Sequence, residues 1–191
     1  MPARPAVQLG TVVIDATREL LSDAAESIRR AGPTVPVPPD AADRAGRRAP
    51  LRVLGYAING AADELALAML THLLADLPIA VEITTVRLQA SELIALVQAQ
   101  EVSVVCLADL PPSPPSKARY LVQRLRAALP DLRILVGRWG PPGLADESTQ
   151  RLTDAGATLV ALTLADTRTY LGGLVEIPRV PLPEAGDVRT A

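Results

Sequence analysis

LRVLGYAINGAADELALAMLTHL, residues 51–73, passes from an almost unbroken apolar run through Asn59 and Gly60 into a stretch whose apolar residues recur at helical spacing. A short apolar run bounded by a turn suits a strand covered on both faces, and a period near 3.6 suits a helix with one buried stripe. The same change of period recurs four more times before Leu174. It predicts strand one over Leu51–Ile58, helix one over Asp63–Asp76, strand two over Val81–Val86 and helix two over Ser91–Gln100. Strand three follows over Val102–Leu107 and helix three over Ser116–Leu129. Strand four is predicted over Leu132–Val136, helix four over Asp146–Ala155, strand five over Thr158–Leu162 and helix five over Ala165–Leu171.

Strands alternating with helices at this spacing predict an α/β domain over residues 51–174 with a parallel sheet. Right-handed crossovers favour an open, doubly wound five-stranded sheet of the flavodoxin-like kind, order 2-1-3-4-5. Strand two, VEITTV, alternates in polarity and suits an edge. Ligands of such sheets sit beyond the carboxyl ends of the strands, near the switch between strands one and three. The loops of interest are therefore 59–62, 108–115 and 137–143.

Residues 1–30 hold apolar positions at Val12, Val13, Ala16, Leu20, Ala24 and Ile28, the stripe of an N-terminal amphipathic helix. Residues 31–50 carry five prolines and no apolar period, which predicts a semi-extended linker. Residues 175–191, with spaced prolines, read as an extended tail, either plain or a docking peptide. The 191 residues carry 19 basic and 21 acidic side chains, net charge −2, so no overall positive field draws the chain to nucleic acid or anionic lipid. No apolar run approaches a membrane span and residues 1–10 lack a signal-peptide core, which predicts a cytoplasmic chain. The lone Cys106 precludes an internal disulfide and fits a reducing compartment.

The loops carry little chemistry. Gly55 and Gly60 have the spacing of a phosphate loop, but Ala61 and Ala62 stand where lysine and serine or threonine are needed. They read as glycines easing a tight strand-to-helix turn. In GRWGPPG, residues 137–143, Arg138 and Trp139 offer a fork of donors and a flat face, suited either to an anionic or planar ligand or to a rigid turn whose tryptophan covers a sheet edge or an interface. The candidate cleft comprises Asn59, Asp109, Leu110, Gly137, Arg138 and Trp139. His72 lies within helix one, away from these loops, and Cys106 lies inside strand three, so no Ser-His-Asp or Cys-His set can be assembled. Lys117, Arg119, Arg124 and Arg126 with Tyr120 make a basic cluster on helix three, read as a solvated face.

Asp109, just past strand three, resembles the phosphorylated aspartate of a response-regulator receiver. Such a receiver needs two acids at the end of strand one to hold magnesium and a lysine after strand five. Here Asn59 and Gly60 end strand one, Asp63 and Glu64 read as helix-start residues, and Thr163 and Leu164 follow strand five.

Over about Leu51–Leu171 the pattern also resembles the vitamin B12-binding domain of methyltransferases, mutases and cobalamin-dependent regulators. That family places D-x-H-x-x-G after strand one, S-x-L at the end of strand three and G-G at the end of strand four. In this chain the cobalt-ligating histidine would fall near Ala62, the serine at Ala108 with Leu110 retained, and the second glycine at Arg138. The resemblance implies a degenerate cobalamin site with no lower histidine ligand, and hence no cofactor and no metal.

ADELALAML, VVCLADLPP, ARYLVQRLRAALPDLRILVGRWG and LTDAGATLV are similar to segments of the cobalamin-domain-like cytoplasmic module of some bacterial autoinducer-exporter-family permeases. That likeness implies a non-catalytic cytoplasmic regulatory or protein-interaction domain, with a protein partner or a membrane permease to act on. The alternative is a sensor of a small cobalamin-like or nucleotide-like molecule.

Overall fold

Five strand–helix units follow one another in the chain: β1 (Leu51–Ala57), α1 (Ala61–Leu73), β2 (Ile79–Thr84), α2 (Ala90–Ala99), β3 (Val104–Ala108), α3 (Ser116–Ala128), β4 (Arg133–Gly137), α4 (Asp146–Asp154), β5 (Leu159–Ala161) and α5 (Leu164–Glu176). The computed structural model describes residues 13–23, 26–27, 50–84, 86–140 and 146–176. All strand pairs are parallel, and the sheet order is β2-β1-β3-β4-β5, a flavodoxin-like arrangement with the expected edge position for β2.

The continuous apolar runs are explained by the pleat, which sends alternate residues to opposite faces, both of them covered. Leu54, Tyr56, Val105, Leu107, Ile134 and Val136 pack on one face against Leu93, Leu121, Val122, Leu125 and Leu152 of α2, α3 and α4. Val53, Val104, Cys106 and Leu135 pack on the other against Leu67, Leu70 and Leu171 of α1 and α5. Gly55 permits α1 to lie close, since a Cβ there would meet Leu67 Cδ2 at 3.2 Å. Gly60, with φ of +138°, makes the sharp entry into α1. Arg168 of α5 ties down Asp76 beyond α1 through two contacts of 2.6 and 2.7 Å.

Most element boundaries shift from expectation by a residue or more, α1 spanning Ala61–Leu73 and not Asp63–Asp76, and three other shifts have local reasons. β2 starts at Ile79, not Val81, because the Leu51 amide bonds Pro78 O at 3.0 Å and sets the register Leu51 to Ile79. β3 starts at Val104, not Val102, because Glu101 turns with φ of +51° and the Val102 amide bonds back to Val97 O. α5 runs to Glu176 instead of stopping at Leu171, continuing through Gly172 and Gly173 and two residues past the expected edge of the domain. Leu174 and Val175, partly buried, pack against the core cluster that holds Leu171, which offsets the glycines' cost of about 1 kcal/mol each.

Residues 13–23 and 26–27 of the expected N-terminal helix are helical. The linker at 31–49, the tail from 177 and the Pro141–Gly143 part of the GRWGPPG loop lie outside the described residues. Among the described residues no helix is long and apolar enough to cross a membrane.

Candidate functional site

The strand order sets the site. β1, β3 and β4 are neighbours, and their ladder continues past the strand ends: Ile58 N–H donates to Ala108 O, Asp109 N–H to Gly137 O and Arg138 N–H to Ala161 O, at 3.1, 3.0 and 2.8 Å. Asn59, Asp109 and Arg138, far apart in sequence, therefore stand side by side at the carboxyl edge.

Asp109 is fully buried, and both of its carboxylate oxygens are engaged. Arg138 Nη1 approaches Oδ2 at 2.7 Å, while Asn59 Nδ2 donates to Oδ1 at 2.8 Å and the Ser113 hydroxyl lies 2.6 Å from Oδ1. The same Arg138 nitrogen lies 3.1 Å from the carbonyl oxygen of Asp109 and 3.0 Å from that of Ser113. At 6% exposure Arg138 is an internal residue, so its fork is directed at the protein and not outward to a ligand. A buried charge persists only when paired and hydrogen-bonded, and this one is.

Trp139 projects into the core on the α1–α5 side, 7% exposed, and its indole N–H donates to Thr167 Oγ1 at 3.0 Å. Its ring occupies the space above Gly137, where an added Cβ would overlap it. Trp139 thus packs inward, beside Thr167. Leu110, half-buried, contributes its amide, which donates to Asp63 Oδ1 at 3.0 Å.

Asp63 and Ser113 belong to the same network, although their sequence context marks neither. Asp63 sits in the first turn of α1, where an acid is commonplace, yet it is 2% exposed and its Oδ2 accepts the Asn59 amide at 2.8 Å. Burial pushes its carboxyl above the usual 3.8; the Leu110 and Asn59 amides oppose that shift and the Asp109 carboxylate adds to it. A raised folded-state value means Asp63 contributes stability that is fully present below the unfolded value and lost as pH rises through the folded one. Relative to Asp63→Asn, the native protein is therefore expected to gain stability as pH falls from about 7 toward about 4. Urea unfolding of both proteins across that range measures it, and a flat or opposite difference contradicts the burial argument. Asp76, held below 3.8 by Arg168, is common to both proteins and cancels.

The basic cluster on α3 divides in two. Arg126 is structural: its Nε and Nη2 donate to Gly156 O at 3.1 and 3.0 Å, and Nη1 donates to Leu132 O at 2.8 Å. Lys117 and Arg124 instead border a cleft of about 670 Å³ between α2 and α3, with Tyr56, Ile58 and Leu121 beneath. None of the six candidate residues lines it. His72 is exposed in the last turn of α1, and Cys106 is buried with its thiol pushed up to about 12 by desolvation, so it is inert as a nucleophile. Among the described residues no group of three or more His, Cys, Asp or Glu is placed to hold a metal ion.

The positions of the cobalamin-domain motifs fall here on Ala62, Gly137 and Arg138. Ala62, exposed in the first turn of α1, offers no ligand atom, and the strip of bare backbone at the end of β4 is covered by Trp139 over Gly137 and followed by the internal Arg138.

No protein-family model matches the chain, and no curated protein matches it. Solved structures similar to it in fold are CheY-like receiver domains. A CheY-like protein (tadZ) from Pseudomonas aeruginosa PAO1 is 23% identical, with 67% of this chain and 98% of that chain covered and a TM-score of 0.49. The Vibrio cholerae chemotaxis protein CheY4 is 20% identical, covering 64% of this chain and 99% of that one, TM-score 0.45. The signal receiver domain of an HD domain-containing protein from Pseudomonas fluorescens Pf-5 is 19% identical, covering 68% and 89%, TM-score 0.49. These likenesses concern the fold alone, and the cobalamin-domain likeness is likewise one of sheet form.

Proposed function

We propose that this chain is a non-catalytic regulatory or protein-interaction module whose ligand-end chemistry has been replaced by an internal ion pair. The observation that carries this reading is the enclosure of Asp109: the carboxylate in the position of a receiver's phosphoacceptor is buried and saturated by Arg138, Asn59 and Ser113. An acceptor needs an oxygen free to attack and a metal to neutralise the incoming group. Here the guanidinium neutralises the carboxylate and covers it. Attachment to a membrane permease, on its cytosolic side, is part of the proposal on the strength of the sequence likeness. The small-molecule alternative requires the Arg138–Asp109 pair to open.

Incubation of the full chain with acetyl phosphate and magnesium, followed by intact-mass analysis, tests the enclosure. No phosphoryl gain is expected, and one that disappears in Asp109→Asn overturns the reading. Titration with hydroxocobalamin and adenosylcobalamin, followed by melting, covers the sensor alternative. Binding to the native state would raise the melting temperature by mass action, and no rise is expected.

A further inference from the structure

The cleft between α2 and α3 joins an apolar floor to a basic wall. Lys117, Tyr120 and Arg124 stand at i, i+3 and i+7 on α3, one stripe of the helix, and Tyr120 is 55% exposed. Neither cation has a hydrogen bond or ion pair among the described residues. In a chain of net charge −2, this stripe is a local exception that calls for an acidic, partly apolar occupant.

Such a surface exists in the same chain. Residues 13–23 form a helix whose Val13, Ala16 and Leu20 share one row, with Val13 58% and Leu20 68% exposed. Asp15, Glu19 and Asp23, at i, i+4 and i+8, form an acidic row on the flank of that apolar row, and among the described residues only Asp15 of the three is paired, with the exposed Arg18. A lone helix of this length is marginal in water, and its stability must come from packing its apolar row on something. The acidic row spans about 12 Å and the basic stripe about 10 Å, so the two match in length.

Geometry also permits the contact. Residues 28–49 span at most about 70 Å when extended, whereas β1 carries the chain only about 23 Å from Leu51 toward the cleft end of the sheet. A tether of that kind gives an effective concentration that favours the same molecule over a second copy. We propose that the α2–α3 cleft is the docking site of the chain's own N-terminal helix: Val13 and Leu20 settle against Tyr120 and the apolar floor, and Glu19 and Asp23 face Lys117 and Arg124. The described arrangement, with that row exposed, is the undocked form. A docked helix covers one surface that a partner protein could use, and the contact stands whether or not Asp109 is enclosed.

Cross-linking in the full chain tests this, because the buried, inert Cys106 does not compete. Leu20→Cys with Tyr120→Cys is expected to cross-link within one molecule about tenfold faster than Leu20→Cys with Ala165→Cys on the opposite face of the sheet. Charge reversal by Lys117→Glu and Arg124→Glu should reduce the rate to that of the control, and adding Glu19→Lys and Asp23→Lys should restore it. All of these residues are surface positions, and unchanged melting of each variant shows the fold to be intact. Equal rates in the two pairs, insensitivity to charge reversal, or products formed only between molecules would each overturn the assignment. An acetyl phosphate result in either direction leaves this outcome readable.

Discussion

Arg138→Met is expected to lower the unfolding free energy by about 3–5 kcal/mol, because it leaves the Asp109 carboxylate buried without its counter-charge. Asn59 and Ser113 remain as partners, but the carbonyls of Asp109 and Ser113 also lose a donor. Asp109→Leu alone should cost a similar amount, since it strands the guanidinium. The double variant, Asp109→Leu with Arg138→Met, should be more stable than either single one, because replacing both ions of a buried pair with apolar groups is often close to neutral. Urea unfolding of the three variants gives the coupling energy directly. Single variants that lose less than about 1 kcal/mol would mean that Arg138 is solvated, and the enclosure of Asp109 would then fail as an account of the site.

Trp139→Ala is expected to cost about 3–5 kcal/mol through lost burial and the cavity left behind, including about 1 kcal/mol for the indole bond to Thr167. Gly137→Ala in the native background should cost about 1–3 kcal/mol, because the added methyl overlaps the tryptophan ring. Combined with Trp139→Ala, the same substitution should cost well under 1 kcal/mol, because the obstructing ring is gone. Strict additivity of the two changes would show that the ring does not fill the space above Gly137.

The part of the molecule that was legible in the chain follows from periodicity. Val104–Ala108 and Ile134–Val136 are apolar at every position because both sheet faces are covered, and that pattern is visible in the sequence itself. The edge position of β2 is likewise visible in its alternation. The end of α5 was not legible, since Gly172 and Gly173 carry the local signal of a stop. Leu174 and Val175 reverse it only by reaching the core.

The candidate site divides along the same line. Asn59, Asp109, Leu110, Gly137, Arg138 and Trp139 end or follow strands one, three and four, and the strand order is enough to group them. What they do there was not readable, because GRWG has the same composition whether it grips a ligand or packs inward. Asp63 reads as an ordinary acid in a helix's first turn, and its burial depends on the Leu110 amide, 47 residues away.

Local residue pattern thus accounts for the sheet and its order, because periodicity is a property of neighbouring residues. That Arg138 neutralises Asp109, and that Trp139 fills the end of β4 by reaching Thr167, depends on contacts 29 and 28 residues apart. Burial and charge pairing at that range are set by how the strands and helices close on one another, and no short segment carries that information.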